Sequence, residues 1–191
     1  GAFGSHGGGM DITIGLKGAL LWDAEEDFIL TVGGRYLIPS GSRGVLKSLA
    51  REWSIYTTIA KGWDHDGHET NMLANLNLRV PFNKSDGNTI LNWDVHFNHE
   101  IIENFFPLIE VHGLHYLSNG SRFPGLRVGG LDYANIGAGR VAGQSALWGT
   151  VGLRWQCAEH VSLGVGYSSS WKWSHDDLFD NRVIATASFI L

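Results

Sequence analysis

Leu91-Asn92-Trp93-Asp94-Val95-His96-Phe97-Asn98 changes character at every residue. Leu91, Trp93, Val95 and Phe97 are apolar, and the residues between them are polar. A period of two belongs to an extended strand, whose successive side chains point to opposite faces. The same alternation recurs in both directions along the chain. Upstream, Met72, Ala74, Leu76, Leu78 and Val80 interleave with Asn71, Asn75, Asn77 and Arg79, and Ile12, Ile14, Leu16, Leu20 and Trp22 interleave with Thr13, Gly15 and Lys17. Downstream, Val151, Leu153 and Trp155 oppose Thr150, Arg154 and Gln156, and Val161, Leu163, Val165 and Tyr167 oppose Ser162, Gly164, Gly166 and Ser168. These segments run to about ten residues, the length a tilted strand needs to cross a bilayer.

About nine strands can be placed in this way, separated by polar turns. They cover roughly 11–22, 28–39, 53–63, 71–82, 91–98, 106–117, 147–157, 161–169 and 182–191, within a few residues at each end. Asn83-Lys84-Ser85-Asp86-Gly87-Asn88 contains an Asp-Gly pair, which tolerates the positive φ of tight hairpins. The Gly-rich stretch Ser118 to Ala146 is expected to be an outer loop, with one short strand near Tyr133. Short connections at 23–27, 98–105 and 158–160 fall at one end and the long ones at 118–146 and 171–181 at the other, as periplasmic turns and outer loops do in bacterial barrels. With Leu191 periplasmic, counting back starts the first strand at the outer rim. That parity implies a truncated barrel, of about ten or twelve strands when whole, with a gap or a strained closure between Ile14 and Ala187.

The composition agrees with this fold class, an all-β, antiparallel, up-and-down transmembrane β-barrel forming a single domain over 1–191. Charged residues are 17% of the 191, against about a quarter in soluble domains, while Gly (26) and Trp (8) are plentiful. A net charge of −5 without Lys/Arg clusters argues against nucleic acid as a partner. The only cysteine, Cys157, leaves no internal disulfide and no zinc-type ligand set. No run of about eighteen apolar residues marks a membrane helix.

A soluble barrel would share the period but would carry Lys and Glu on its outer face. Here the polar positions are mostly Asn, Thr, Ser and Gly. Aromatics also gather near strand ends: Trp22, Phe28, Trp155 and Phe189 at the expected periplasmic level, and Tyr36, Trp53, Phe82, Trp93 and Tyr167 at the outer one. Two such girdles mark the interfaces of a membrane barrel. Leu76, Leu78, Trp93, Val95, Leu153 and Val165 are therefore expected to face lipid, in the bacterial outer membrane, with membrane lipid and lipopolysaccharide as surroundings.

Val183-Ile184-Ala185-Thr186-Ala187-Ser188-Phe189-Ile190-Leu191 resembles the C-terminal strand by which outer-membrane barrels engage the barrel-assembly machinery, although it ends in Leu rather than an aromatic. Gly34-Arg35-Tyr36-Leu37-Ile38-Pro39-Ser40-Gly41-Ser42 and Leu114-His115-Tyr116-Leu117-Ser118-Asn119-Gly120 resemble segments of the transporter-like barrels of the phenol meta-cleavage-pathway outer-membrane family. The resemblance implies a porin- or transporter-like channel for small, hydrophobic or anionic solutes, with no catalytic residue and no cofactor.

The inward polar positions Lys17, Arg35, Arg79, Asp94, His96, Glu110, His112, Arg154 and Arg182 are the candidate lumen and selectivity residues. They are expected either to pair across the interior, since an unpaired buried charge is costly, or to line a charged pore. Excess Arg, with only Asp94 and Glu110 as strand carboxylates, would favour anions. The hairpin of the fifth and sixth strands is expected to set Asp94 near Glu110 and His96 or Asn92 near His112. That arrangement also admits an outer-membrane lipid-modifying enzyme, which would need a serine within reach of an imidazole. A third reading is a structural or adhesive barrel with a plugged lumen. Asp64-His65-Asp66-Gly67-His68-Glu69 is dense in ligand atoms but lacks calcium-loop spacing and reads as a solvated turn. Trp171-Lys172-Trp173-Ser174-His175-Asp176-Asp177 reads as a glycan-contacting or membrane-anchoring loop.

Overall fold

Alternation carried over successive segments gives strands with one polar and one apolar face, and they pair in chain order; the first strand, at an open edge, is exposed along its whole length. The computed structural model describes residues 12–38, 51–130, 135–171 and 180–189. Within them lie β1 (Ile12–Asp23), β2 (Phe28–Ile38), β3 (Glu52–His65), β4 (His68–Pro81), β5 (Ile90–His99), β6 (Phe105–Tyr116), β7 (Ser145–Ala158), β8 (Val161–Ser170) and β9 (Asn181–Phe189). Every strand is antiparallel to the next in one up-and-down sheet ordered β1 to β9. Among the described residues β1 and β9 do not pair with each other, so the sheet is open between its two edges. The short connections 24–27, 66–67, 100–104 and 159–160 share one end, and the longer ones 82–89 and 117–144 lie at the other.

The sheet curls around its polar face. Trp22, Ile29, Ala60, Leu73, His96 and Arg154, from six strands, border one cavity of about 960 Å³ at the short-turn end. The opposite face is apolar and exposed: Leu76 is 46% accessible, Val95 38% and Val165 52%. Bare apolar side chains on alternate residues of neighbouring strands make a continuous patch far larger than scattered surface hydrophobics. On that face the Trp93 ring lies flat over Gly113, its cross-strand partner, where a Cβ would meet the ring at 2.1 Å. Trp93 Nε1 donates to His115 Nε2 (3.2 Å), whose Nδ1 then donates to Ser145 Oγ (2.6 Å). Tyr36 and Trp53 pack with ring centroids 4.6 Å apart at the same end.

The described core sits inside the long-loop end. Ile90, Leu114, Tyr116, Ala146 and Trp148 on the concave face are covered by Ile136, Ala138 and Val141 from the β6–β7 connection. This segment, expected to be an outer loop, folds inward. Close approaches through glycine make the fit possible: a Cβ on Gly129 would meet the Tyr116 ring at 2.0 Å, and one on Gly120 would meet the Gly137 backbone at 2.4 Å. Gly120 N donates to Ala138 O (2.8 Å) and Gly139 N to Phe123 O (2.9 Å), tying the segment to itself. The strand expected near Tyr133 lies outside the described residues.

Three expectations about local geometry change. A bulge between Ala19 and Leu21 brings Trp22 opposite Ile29, on the face of Thr31 and Arg35, so Trp22 leaves the apolar face, where it was expected in the periplasmic-level girdle, and borders the cavity. The Asp-Gly pair with positive φ is Asp66 (55°) and Gly67 (79°), the tight turn of the β3–β4 hairpin, not Asp86-Gly87. Gly87 is instead required by a close approach, since a Cβ there would meet the Asn135 side chain at 2.6 Å. Finally, β3 runs from Glu52 to His65 and β4 starts at His68, so Glu52, Asp64 and Glu69 join Asp94 and Glu110 as inward strand carboxylates.

Candidate functional site

Register decides which polar side chains meet. Asp94 on β5 stands opposite His112 on β6, and His96 opposite Glu110, so the expected pairing of Asp94 with Glu110 is replaced by two direct acid–imidazole pairs. Asp94 Oδ1 accepts from His112 Nδ1 (2.8 Å), and Glu110 Oε1 accepts from His96 Nδ1 (2.8 Å). Glu110 Oε2 lies 3.4 Å from His112 Nε2 and links the pairs. Asn75 Nδ2 donates to Asp94 Oδ2 (3.1 Å), and Asn98 Nδ2 donates to His96 Nε2 (2.8 Å), so both carboxylates and both rings have assigned partners.

On the β7 side, Thr150 Oγ1 is 3.4 Å from His112 Nε2 and 2.6 Å from Ser168 Oγ on β8. Trp148 stacks on His112 with centroids 5.3 Å apart, and the Arg182 guanidinium stands 5.8 Å from the Trp148 centroid. The result is a hydrogen-bonded belt around the inside of the sheet from Thr58 and Asn75 to Ser168. Asp94, His112 and Thr150 follow the order of a carboxylate, a base and a hydroxyl. Yet Thr150 is 3% and Ser168 0% exposed, and the two hydroxyls are bonded to each other, so neither is presented to a substrate. This chemistry orients and braces more readily than it attacks.

A second cluster lies at the long-loop end. Arg79 Nη2 contacts Glu52 Oε1 at 2.7 Å, with both side chains largely buried. Glu52 Oε2 also accepts from Asn135 Nδ2 (3.1 Å). Asn135 Oδ1 accepts from Asn88 N (2.6 Å) and its Nδ2 donates to Asn88 O (2.7 Å), while the Asn88 side chain bonds Ala138 N and O (3.0 and 2.8 Å). A latch of one ion pair and two amides thus fastens the inward segment to β3 and β4.

The remaining candidates stay apart from both clusters. Lys17 lies opposite Gly33 near the open edge. Arg35 donates from Nε to Ser54 Oγ (3.3 Å) and stands 5.5 Å from the Tyr56 ring centroid. Arg154 stands 4.5 Å from the Phe106 ring centroid. Among the described residues no group of three or more His, Cys, Asp or Glu is arranged to hold a metal ion. In the Asp64–Glu69 stretch, Asp64, His65, His68 and Glu69 continue β3 and β4 up to a two-residue turn at Asp66-Gly67, where Gly67 N donates to Asp64 Oδ1 (3.1 Å). Of the aromatic loop, Trp171 covers Gly149, and 172–179 lie outside the described residues.

Glu52, Asn88, Asn135, Trp148, Thr150 and Ser168 were not among the sequence candidates. Parity alone would have brought in Thr150, Ser168 and Trp148, whereas nothing local marks Asn88 or Asn135. No protein-family model, curated protein or solved structure matches the chain.

Proposed function

We propose that this chain is an outer-membrane β-barrel protein that passes small solutes through a closable interior. The observation that carries the reading is the division of the sheet into an exposed apolar face and a concave face of amides, hydroxyls and charges, strand after strand. A sheet with that division has its hydrocarbon-compatible side outward and its hydratable side inward. Girdle positions Trp53, Trp155, Tyr167 and Phe189 remain exposed on the apolar face, as an interfacial belt requires. The inward positions hold Lys17, Arg35, Arg79, Arg154 and Arg182 together with Glu52, Asp64, Glu69, Asp94 and Glu110, a lining of both charges that suits small polar and charged solutes. Lipopolysaccharide around the wall and assembly machinery acting on the last strand follow from the same reading.

The latched segment between β6 and β7 serves in this reading as the closure of the long-loop end. Its dense packing also supports the alternative of a permanently plugged structural barrel. Conductance of the protein in planar bilayers, compared with Asn135→Ala, separates the two. The channel reading expects conductance that rises in the variant. Failure to insert into lipid sinks the membrane reading itself. Insertion with no conductance in either protein transfers the assignment to the plugged barrel.

A further inference from the structure

Each inward strand carboxylate is already engaged: Glu52 by Arg79, Asp94 by His112, Glu110 by His96 and His112, and, at the short-turn end, Asp64 by Gly67 N and Glu69 by Asn71 Nδ2. Arg154 is not. Among the described residues its guanidinium has neither an ion pair nor a hydrogen bond, only the face of Phe106. Five fixed N–H donors without acceptors, half-buried inside a protein, are held either by water or by an anion.

The surroundings of Arg154 have room for one. It borders both the 960 Å³ cavity and a separate recess of about 180 Å³ between β5 and β9. Gly164, opposite Arg154, and Gly166 leave the recess wall bare of side chains, while Leu108 and Ile184 make its apolar lining. Glu110 borders the same recess, so a second negative charge on a ligand would meet a carboxylate. One unpaired guanidinium, one apolar recess and one nearby acid together select a single charge on a small hydrocarbon body.

We infer that Arg154 and this recess form a binding site for small organic monocarboxylates. The carboxylate takes the guanidinium as a bidentate partner, with the chain of the ligand against Leu108 and Ile184. This names a solute class for the proposed channel and rests on that reading for its meaning, although binding itself can be tested separately.

The test is calorimetric titration of the protein in zwitterionic detergent with hexanoate, hexanamide and inorganic phosphate. Hexanoate should bind saturably, at least tenfold more tightly than either of the others. Arg154→Gln should weaken hexanoate at least tenfold and Arg154→Lys by less, since an ammonium keeps the charge but not the fork. Lys84→Gln, outside the interior, should leave binding unchanged. Equal affinity for hexanamide, tighter binding of phosphate, or an Arg154→Gln protein that binds as before would each overturn the site. A circular dichroism spectrum and thermal transition like those of the parent show that the variants fold. A protein that inserts and conducts but does not bind hexanoate refutes this site alone. One that binds hexanoate but never inserts refutes the channel and keeps the site.

Discussion

The buried pair of Arg79 and Glu52 shows how much rests on single contacts in this interior. Glu52 accepts from Arg79 and from Asn135, so it joins the sheet to the inward segment. Removing its charge leaves the guanidinium buried without an anion, which costs far more than the pair contributes net. Glu52→Gln should therefore lower the free energy of unfolding by about 3–5 kcal/mol, read from urea denaturation of the lipid-reconstituted protein. The double variant Glu52→Leu, Arg79→Leu should recover a large part of that loss. Equal losses in the single and double variants would show that the latch, and not the stranded charge, dominates.

Hairpins carry their own local signatures. Glu100 opens the β5–β6 connection, where it accepts from Asn104 N (2.6 Å) and from Glu69 N on the adjoining strand (3.3 Å). These two backbone donors, Asn104 foremost, hold its carboxyl below the ordinary glutamate range, with His68 and His99 adding to the effect. A lowered folded value means that the contribution to stability is complete above the unfolded value, about 4.3, and is lost as pH falls through the lower folded one. Amide exchange at Asn104 and Glu69 should therefore be steadily protected above about pH 5 and accelerate, relative to intrinsic rates, only at lower pH. Glu100→Gln should show weaker protection without that acid step. A step of the same size in the variant would assign it to another group.

At the scale of the whole molecule, the two faces of the sheet make opposite demands on a charged substitution. Val95 lies on the apolar face near the middle of β5, whereas Leu73 lies on the concave face and borders the large cavity. In a bilayer, Val95→Arg should cost about 2–4 kcal/mol. Leu73→Arg, with its head free to reach water in the cavity, should cost about 1 kcal/mol or less. Unfolding of both variants from lipid vesicles measures the difference, and equal costs would remove the assignment of the apolar face to lipid. The interior is asymmetric along its length as well, packed and latched at the long-loop end and hollow at the short-turn end.

What was legible in the residues follows from what a period of two can encode. Alternation identifies a strand and assigns each side chain to a face, so the nine strands, their antiparallel order and the shared polar face of Arg35, Arg79, Asp94, His96, Glu110, His112, Arg154 and Arg182 could all be read from the chain. It does not say which residue stands opposite which. Pairing Asp94 with His112 and His96 with Glu110 required the register, and one extra residue at the β1 bulge was enough to move Trp22 to the other face. The inward course of 117–130 and 135–144 had no local signal at all. It depends on Gly129 against Tyr116, Gly87 against Asn135, and Asn135 reaching Glu52, contacts between residues far apart in the chain. Periodicity acts over neighbours and therefore survives in sequence; complementarity between distant surfaces exists only once the sheet has curled, and that step alone decided where the interior is closed and where it is open.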